Sequence, residues 1–292
     1  MRYRQRRILT RASHGGIPVG IVLSYVFGAD PGPGHCPTPA SSESRGAPLG
    51  QDLGVSSTVV CYDVEDRLRV MESCYMCDRL ATSKEHVPPQ CFFPEKKDLP
   101  QGEDYRVNLI TVPSCELHNL SKSEDDQYLL SVIVAYYNNN SVAQRHFSTK
   151  MLRAIERSPW LTETYTRKWS PVLVGSTLQP AFDVDRRRLI KSLACIVSGL
   201  YFHHHQEKWS HRVLIFIPPL LSVDGPEPPQ RVDVMRAFDI LSPRYLENQT
   251  RLGVNREVFY YQTYRDEQGK CLLVRMAFYR GFVVYGFSST PD

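Results

Sequence analysis

The sequence predicts an α+β protein, on three observations. Runs with apolar residues at helical spacing occur in the middle of the chain. Alternating, aromatic-rich runs broken by turn residues crowd its end. Between the N-terminal stretch and the first helix lie short strand-like runs closed by prolines, flanked by two pairs of metal-type ligands. The chain of 292 residues is long enough for two modest domains, and 42% hydrophobic with 23% charged residues is ordinary for a chain that buries a core. A net charge of +4 is compatible with a nucleic-acid partner without identifying one.

Taken in order, the first 70 residues read as an N-terminal extension, largely disordered or linker. "MRYRQRR" followed by the apolar run 17–29 has the outline of a signal peptide. The competing interpretation is a short strand or disordered apolar patch, and this is the one adopted, because thiolate metal sites suit the cytosol. Residues 30–58 are rich in Pro, Gly and Ser, a linker composition. No run reaches transmembrane length. The expectation is a cytoplasmic chain with no membrane partner; oligomeric state is left open.

A domain is expected over 71–158. "EHVPP" and "VNLITVP" read as short strands, with Asn108 opening the second and a charged loop between them. A helix follows, with Tyr128, Leu129, Val132, Ile133, Tyr136 and Tyr137 on one face and Ser123, Asp125 and Asp126 in its first turn. Residues 141–157 read as a further helix ending before Pro159. A second α+β domain of unknown role is expected over 160–292. In it, Leu189, Leu193, Ile196, Val197 and Leu200 line a helix starting near Asp185, "RVLIFIPP" contains a buried strand, and the end forms antiparallel strands around a "DEQGK" turn. In "YFHHHQEKWSH" successive histidines cannot share one face, so the run reads as a polar helix end or loop.

Eight cysteines at uneven spacing do not form a disulfide framework and suit a reducing compartment. Cys74 and Cys77 form a CxxC pair, and Cys115 with His118 forms a CxxH pair further on. Two such pairs supply three sulfurs and one nitrogen for a tetrahedral metal, which suits structural zinc. Such a closed site is a clamp, and cannot itself hydrolyse anything. Between the pairs stands Glu85-His86, and directly after His118 stands Asn119. If the clamp joins strand to helix, Glu85, His86 and Asn119 can converge on one face. A carboxylate and an amide oxygen are hard ligands for Mg²⁺ or Mn²⁺, and a neutral imidazole can take a proton from water. Taken singly, "EHVPP" reads as a solvated turn and Asn119 as a helix cap; only together do they point to a site.

The pieces "CYMC", "SKEHVPP", "NLITVPSC" and "CELHNLSK" resemble the HNH endonucleases of the ββα-metal fold, in the subgroup with an embedded zinc knuckle, of bacterial or phage type. The resemblance covers residues 74–122. It implies a ββα-metal module followed by helices and a C-terminal α+β region. It also implies hydrolysis of DNA phosphodiester bonds, with His86 as general base, Glu85 and Asn119 as ligands of a catalytic Mg²⁺ or Mn²⁺, and Asn108 as a brace. Cys74, Cys77 and Cys115 match the zinc cysteines, while His118 stands where the family usually has cysteine. A different registration would hand His118 to the catalytic metal and leave zinc three ligands. Lys122 matches a position that contacts phosphate. Arg186, Arg187 and Arg188 are further expected DNA contacts, although a solvated helix face is the commoner explanation of such a run. Two alternatives remain: a zinc-stabilised nucleic-acid-binding module without catalysis, and a protein-interaction domain stapled by zinc.

Overall fold

Among the described residues, antiparallel pairing builds three sheets. Ser83–His86 (β1) pairs with Thr111–Ser114 (β2), and Trp169–Val174 (β3) pairs with Thr177–Phe182 (β4). The third is a sheet in the order β5-β8-β7-β6, built from Leu214–Phe216 (β5), Phe259–Arg265 (β6), Cys271–Phe278 (β7) and Phe282–Ser289 (β8). This computed structural model describes residues 72–120, 123–167, 169–174, 176–221 and 228–289. The N-terminal extension and its apolar run lie outside the described residues, as does Lys122.

The helices are Glu116–Leu120 (α1), Ser123–Val134 (α2), Ser141–His146 (α3), Leu152–Arg157 (α4), Pro159–Arg167 (α5), Arg186–His205 (α6), Pro229–Leu241 (α7) and Pro243–Leu246 (α8). The architecture is therefore α+β, as the sequence predicts. Among the described residues, no helix is long and apolar enough to cross a membrane.

Local chemistry explains the boundaries. The Asp185 carboxylate accepts the Arg188 amide at 3.0 Å and caps α6, while Gln206 at φ 54 ends it in the left-handed region. His203, His204 and His205 occupy its last turn, where the helix dipole favours donors, and His204 Nε2 meets the Tyr261 hydroxyl at 2.8 Å. α2 stops short of Tyr136 and Tyr137, where the Ile133 carbonyl accepts both the Tyr136 amide at 3.1 Å and the Asn139 side-chain amide at 2.6 Å and the chain turns away. The helix expected over 141–157 is interrupted by a π turn at Phe147–Met151, where the Ser148 and Thr149 hydroxyls both bond the Arg145 carbonyl. "DEQGK" is a turn, with the Gly269 amide on the Asp266 carbonyl and Gly269 at φ 68.

By contact the chain falls into two units, 1–62 and 63–292, and every described residue belongs to the second. Its buried apolar side chains form one cluster running from Cys74 to Val284. The boundary expected at 158–160 lies inside that shared core. α6 is pressed from two sides. A Cβ at Gly199 would stand 2.7 Å from Val87, just beyond β1, and a Cβ at Gly286 in β8 would stand 2.7 Å from Val197 of α6. Only glycine permits either approach. The β7–β8 turn reaches toward the same region: the fully buried Tyr279 hydroxyl donates to the Phe92 carbonyl at 2.6 Å and meets His146 Nδ1 at 2.8 Å. The segment that follows Glu85-His86 is thus anchored from the far end of the chain.

Candidate functional site

Cys74 and Cys77 lie in a loop closed by the Ser73–Leu80 bridge and by the Cys74 amide on the Arg79 carbonyl at 2.8 Å. The Tyr75 amide donates to the Pro113 carbonyl at 2.9 Å, which ties this loop to β2. Cys115 follows β2 directly, and the amides of His118 and Asn119 both bond its carbonyl at 3.0 Å. The first turn of α1 therefore fixes His118 relative to Cys115.

The Sγ atoms of Cys74, Cys77 and Cys115 and a ring nitrogen of His118 all lie within 4.8 Å of one another. His118 Nδ1 is 3.4 Å from Cys74 Sγ, 3.5 Å from Cys77 Sγ and 3.4 Å from Cys115 Sγ; Cys77 and Cys115 sulfurs are 3.8 Å apart. Ordinary zinc–sulfur and zinc–nitrogen bonds generate a tetrahedron with edges of about 3.8 Å between sulfurs and about 3.5 Å from sulfur to nitrogen. The observed edges match, so the four residues are placed to hold a metal such as zinc. His118 belongs to this set, which disposes of the registration that left three ligands. Burial raises the Cys77 thiol. Burial also acts on Cys115, but the His118 amide and the Cys77 thiol outweigh it and draw Cys115 down.

β1 and β2 are in register Ser83↔Ser114, Lys84↔Pro113, Glu85↔Val112 and His86↔Thr111. Alternation puts Ser83 and Glu85 on one face with Ser114 and Val112. Glu85 is buried on that face and accepts from the Ser114 hydroxyl at 3.2 Å. The Ser83 hydroxyl donates to the Ser114 carbonyl at 3.2 Å and accepts from Asn119 Nδ2 at 2.7 Å. With its nitrogen so engaged, the Asn119 amide has a defined orientation, with Oδ1 as its remaining acceptor. Glu85 and Asn119 are thus brought to one face through two serines.

His86, the last residue of β1, leaves from the other face, so the three residues do not converge on a single face as expected. It is half-buried, and its pKa lies below the usual histidine value, chiefly through burial and then through the nearby Arg106 guanidinium, with Glu85 opposing. The imidazole is neutral at neutral pH. Arg106 is itself held by the Phe93 carbonyl at 3.0 Å. Asn108 does not open β2. It stands exposed at φ 52, three residues ahead of Thr111, in the left-handed region that asparagine tolerates best after glycine.

Of the arginines at the start of α6, Arg188 is turned inward. It pairs with Asp125 at 2.5 Å and lies 4.6 Å from the centre of the Tyr128 ring. Arg186 is half-buried, and burial lowers its pKa; Arg187 is exposed. Cys91, outside the metal cluster, is a half-buried thiol pushed up to about 12 chiefly by desolvation. Sequence reasoning missed Ser83, Ser114 and Arg106. The first was legible in "SKEH", whose spacing of two places Ser83 on the Glu85 face of any strand; Arg106 carried no such signal in its charged loop. Comparison of the chain with protein-family models, with curated proteins and with solved structures finds no match.

Proposed function

We propose that residues 74–120 form a metal-dependent endonuclease site of the HNH type, hydrolysing DNA phosphodiester bonds, with zinc as a structural clamp. The observation that carries this reading is the network Asn119–Ser83–Ser114–Glu85, which the Cys74, Cys77, Cys115 and His118 cluster holds together at the junction of hairpin and helix. A carboxylate and an amide oxygen on one face suit Mg²⁺ or Mn²⁺. Such an ion supplies charge stabilisation for the phosphate and its leaving oxygen.

The chain's own part is to place the proton acceptor and the substrate. A phosphodiester laid across the end of β1 meets both faces there. His86, neutral and half-buried, takes a proton from the attacking water. Arg106, held by the Phe93 carbonyl and Glu95, is a cation whose charge acts on that acceptor. Glu85 and Asn119, each oriented by a serine, would hold such an ion.

The strand alternation that separates His86 from Glu85 favours a second reading, a zinc-stabilised nucleic-acid-binding module without catalysis. Plasmid nicking across divalent metals separates the two. The proposal expects Mg²⁺- or Mn²⁺-dependent nicking by the wild type, reduced by about 10²–10⁴-fold in a folded, zinc-loaded His86→Ala variant. A gel shift with no cleavage under any metal favours the module, and nicking that survives His86→Ala removes that residue from the mechanism.

A further inference from the structure

A cavity of about 340 Å³ opens beside the segment that follows His86. Its apolar lining comes from Pro89, Leu130, Met151 and Ala154, and its polar lining from Gln90, Ser123, Gln127 and Lys150. Cys91 and Asp126 complete it. Pro89 is three residues beyond His86, a span of at most about 10 Å of chain. A strand lying on His86 therefore passes within reach of the opening.

Three features of the lining point to one ligand chemistry. Lys150 is half-buried and donates to the Cys91 carbonyl at 3.2 Å; Glu95 and Asp98 act on it from further off, but no described carboxylate forms a close ion pair with it. A desolvated ammonium with no carboxylate at ion-pair distance attracts an anion. The side-chain amides of Gln90 and Gln127 and the Ser123 hydroxyl make no hydrogen bond to another described residue, so donors and acceptors stand ready around an apolar floor. An apolar floor, a ring of amides and one cation fit a planar, polar-edged group that carries a negative charge.

We propose that this cavity binds a nucleotide unit, with the base against Pro89, Leu130, Met151 and Ala154 and the phosphate on Lys150. The proposal rests on the nuclease reading for its biological sense, and would make the cavity the place where a base next to the cut phosphate is drawn out of its stack. The binding itself stands apart from cleavage. A nucleotide in a strand and a free nucleotide share this chemistry, and the test distinguishes them.

The test is calorimetric titration of the zinc-loaded full chain, without catalytic metal, with the four deoxynucleoside 5′-monophosphates, inorganic phosphate, thymidine and a single-stranded DNA tetramer. Wild type should bind at least one monophosphate. Lys150→Met, which keeps the apolar stem, should bind it at least tenfold more weakly. Ala154→Phe, which fills the floor and leaves the cation, should lose preference among the bases. Tighter, Lys150-dependent binding of the tetramer than of any monophosphate identifies a strand; the reverse order identifies a free nucleotide. Monophosphate binding that is absent at millimolar concentration, or unchanged in both Lys150→Met and Ala154→Phe, overturns the proposal, even if nicking depends on His86. Lys150-dependent binding by a protein that cuts nothing leaves the proposal standing and sinks the nuclease reading.

Discussion

The metal cluster and the hairpin face beside it come from the same stretch of chain but are completed to different degrees. In the cluster, four donors already sit at the edges of a zinc tetrahedron, with Cys77 and Cys115 sulfurs 3.8 Å apart. On the hairpin, Glu85 and Asn119 are linked through Ser83 and Ser114, while His86 leaves from the other face. A closed site must be finished by the protein alone, because every ligand is a side chain. A hydrolytic site is finished by an ion, a water and a substrate, so the protein supplies only parts of it.

The largest effect should come from breaking the clamp. Cys115→Ser should remove the zinc and destabilise the chain by more than about 4 kcal/mol, the range reserved for loss of a structural metal. Bound zinc and thermal melting, each with and without a chelator, check this. A variant that keeps wild-type stability without metal would reduce the cluster to an accessory.

Next in size is the anchor that holds the chain after His86. Tyr279→Phe leaves the buried Phe92 carbonyl and His146 Nδ1 without their partner, at a cost of about 1–3 kcal/mol in denaturant unfolding. Gly199→Ala drives a methyl to 2.7 Å from Val87 and should cost about 1–3 kcal/mol. If the α6 contact positions the end of β1, nicking should fall in this variant by more than its stability loss explains. Equal losses would make Gly199 a packing residue only.

A smaller effect depends on pH. His146 is fully buried, and desolvation above all lowers its pKa to about 3, against an ordinary value of 6.5. Between those values the unfolded chain binds a proton that the folded chain refuses. Stability therefore falls as pH drops from 6.5 toward about 3, and at pH 5 the loss from this group is about 2 kcal/mol. Unfolding of wild type and His146→Gln across that window checks it, with a shallower slope expected in the variant. Parallel curves would show that His146 does not set the acid sensitivity.

Much of the fold was legible because short-range chemistry wrote it. The apolar face of α6 with its Asp185 cap, the turn at Gly269 and the alternation along β6 to β8 all follow from residues within a few positions of one another. The β3–β4 hairpin was not legible, since Pro171 and Pro180 face each other in its register and argue against a strand pair. Nor was α7, which buries only Met235 and so shows no strong apolar stripe. At the site, the ligand pairs were readable from spacing. The split of Glu85 from His86 was also implicit in a period of two, but depended on knowing that β1 runs through His86 as a regular strand.

The central claim is that one clamp serves a second metal, held by Glu85 and Asn119 on the hairpin face. Electron paramagnetic resonance of Mn²⁺ added to the zinc-loaded protein tests it most directly. The account predicts one tightly held Mn²⁺ per chain, lost in Glu85→Ala and weakened in Asn119→Ala, with zinc content unchanged in both. Mn²⁺ that binds equally well without the Glu85 carboxylate, or that never binds a protein which nonetheless nicks DNA, would contradict it.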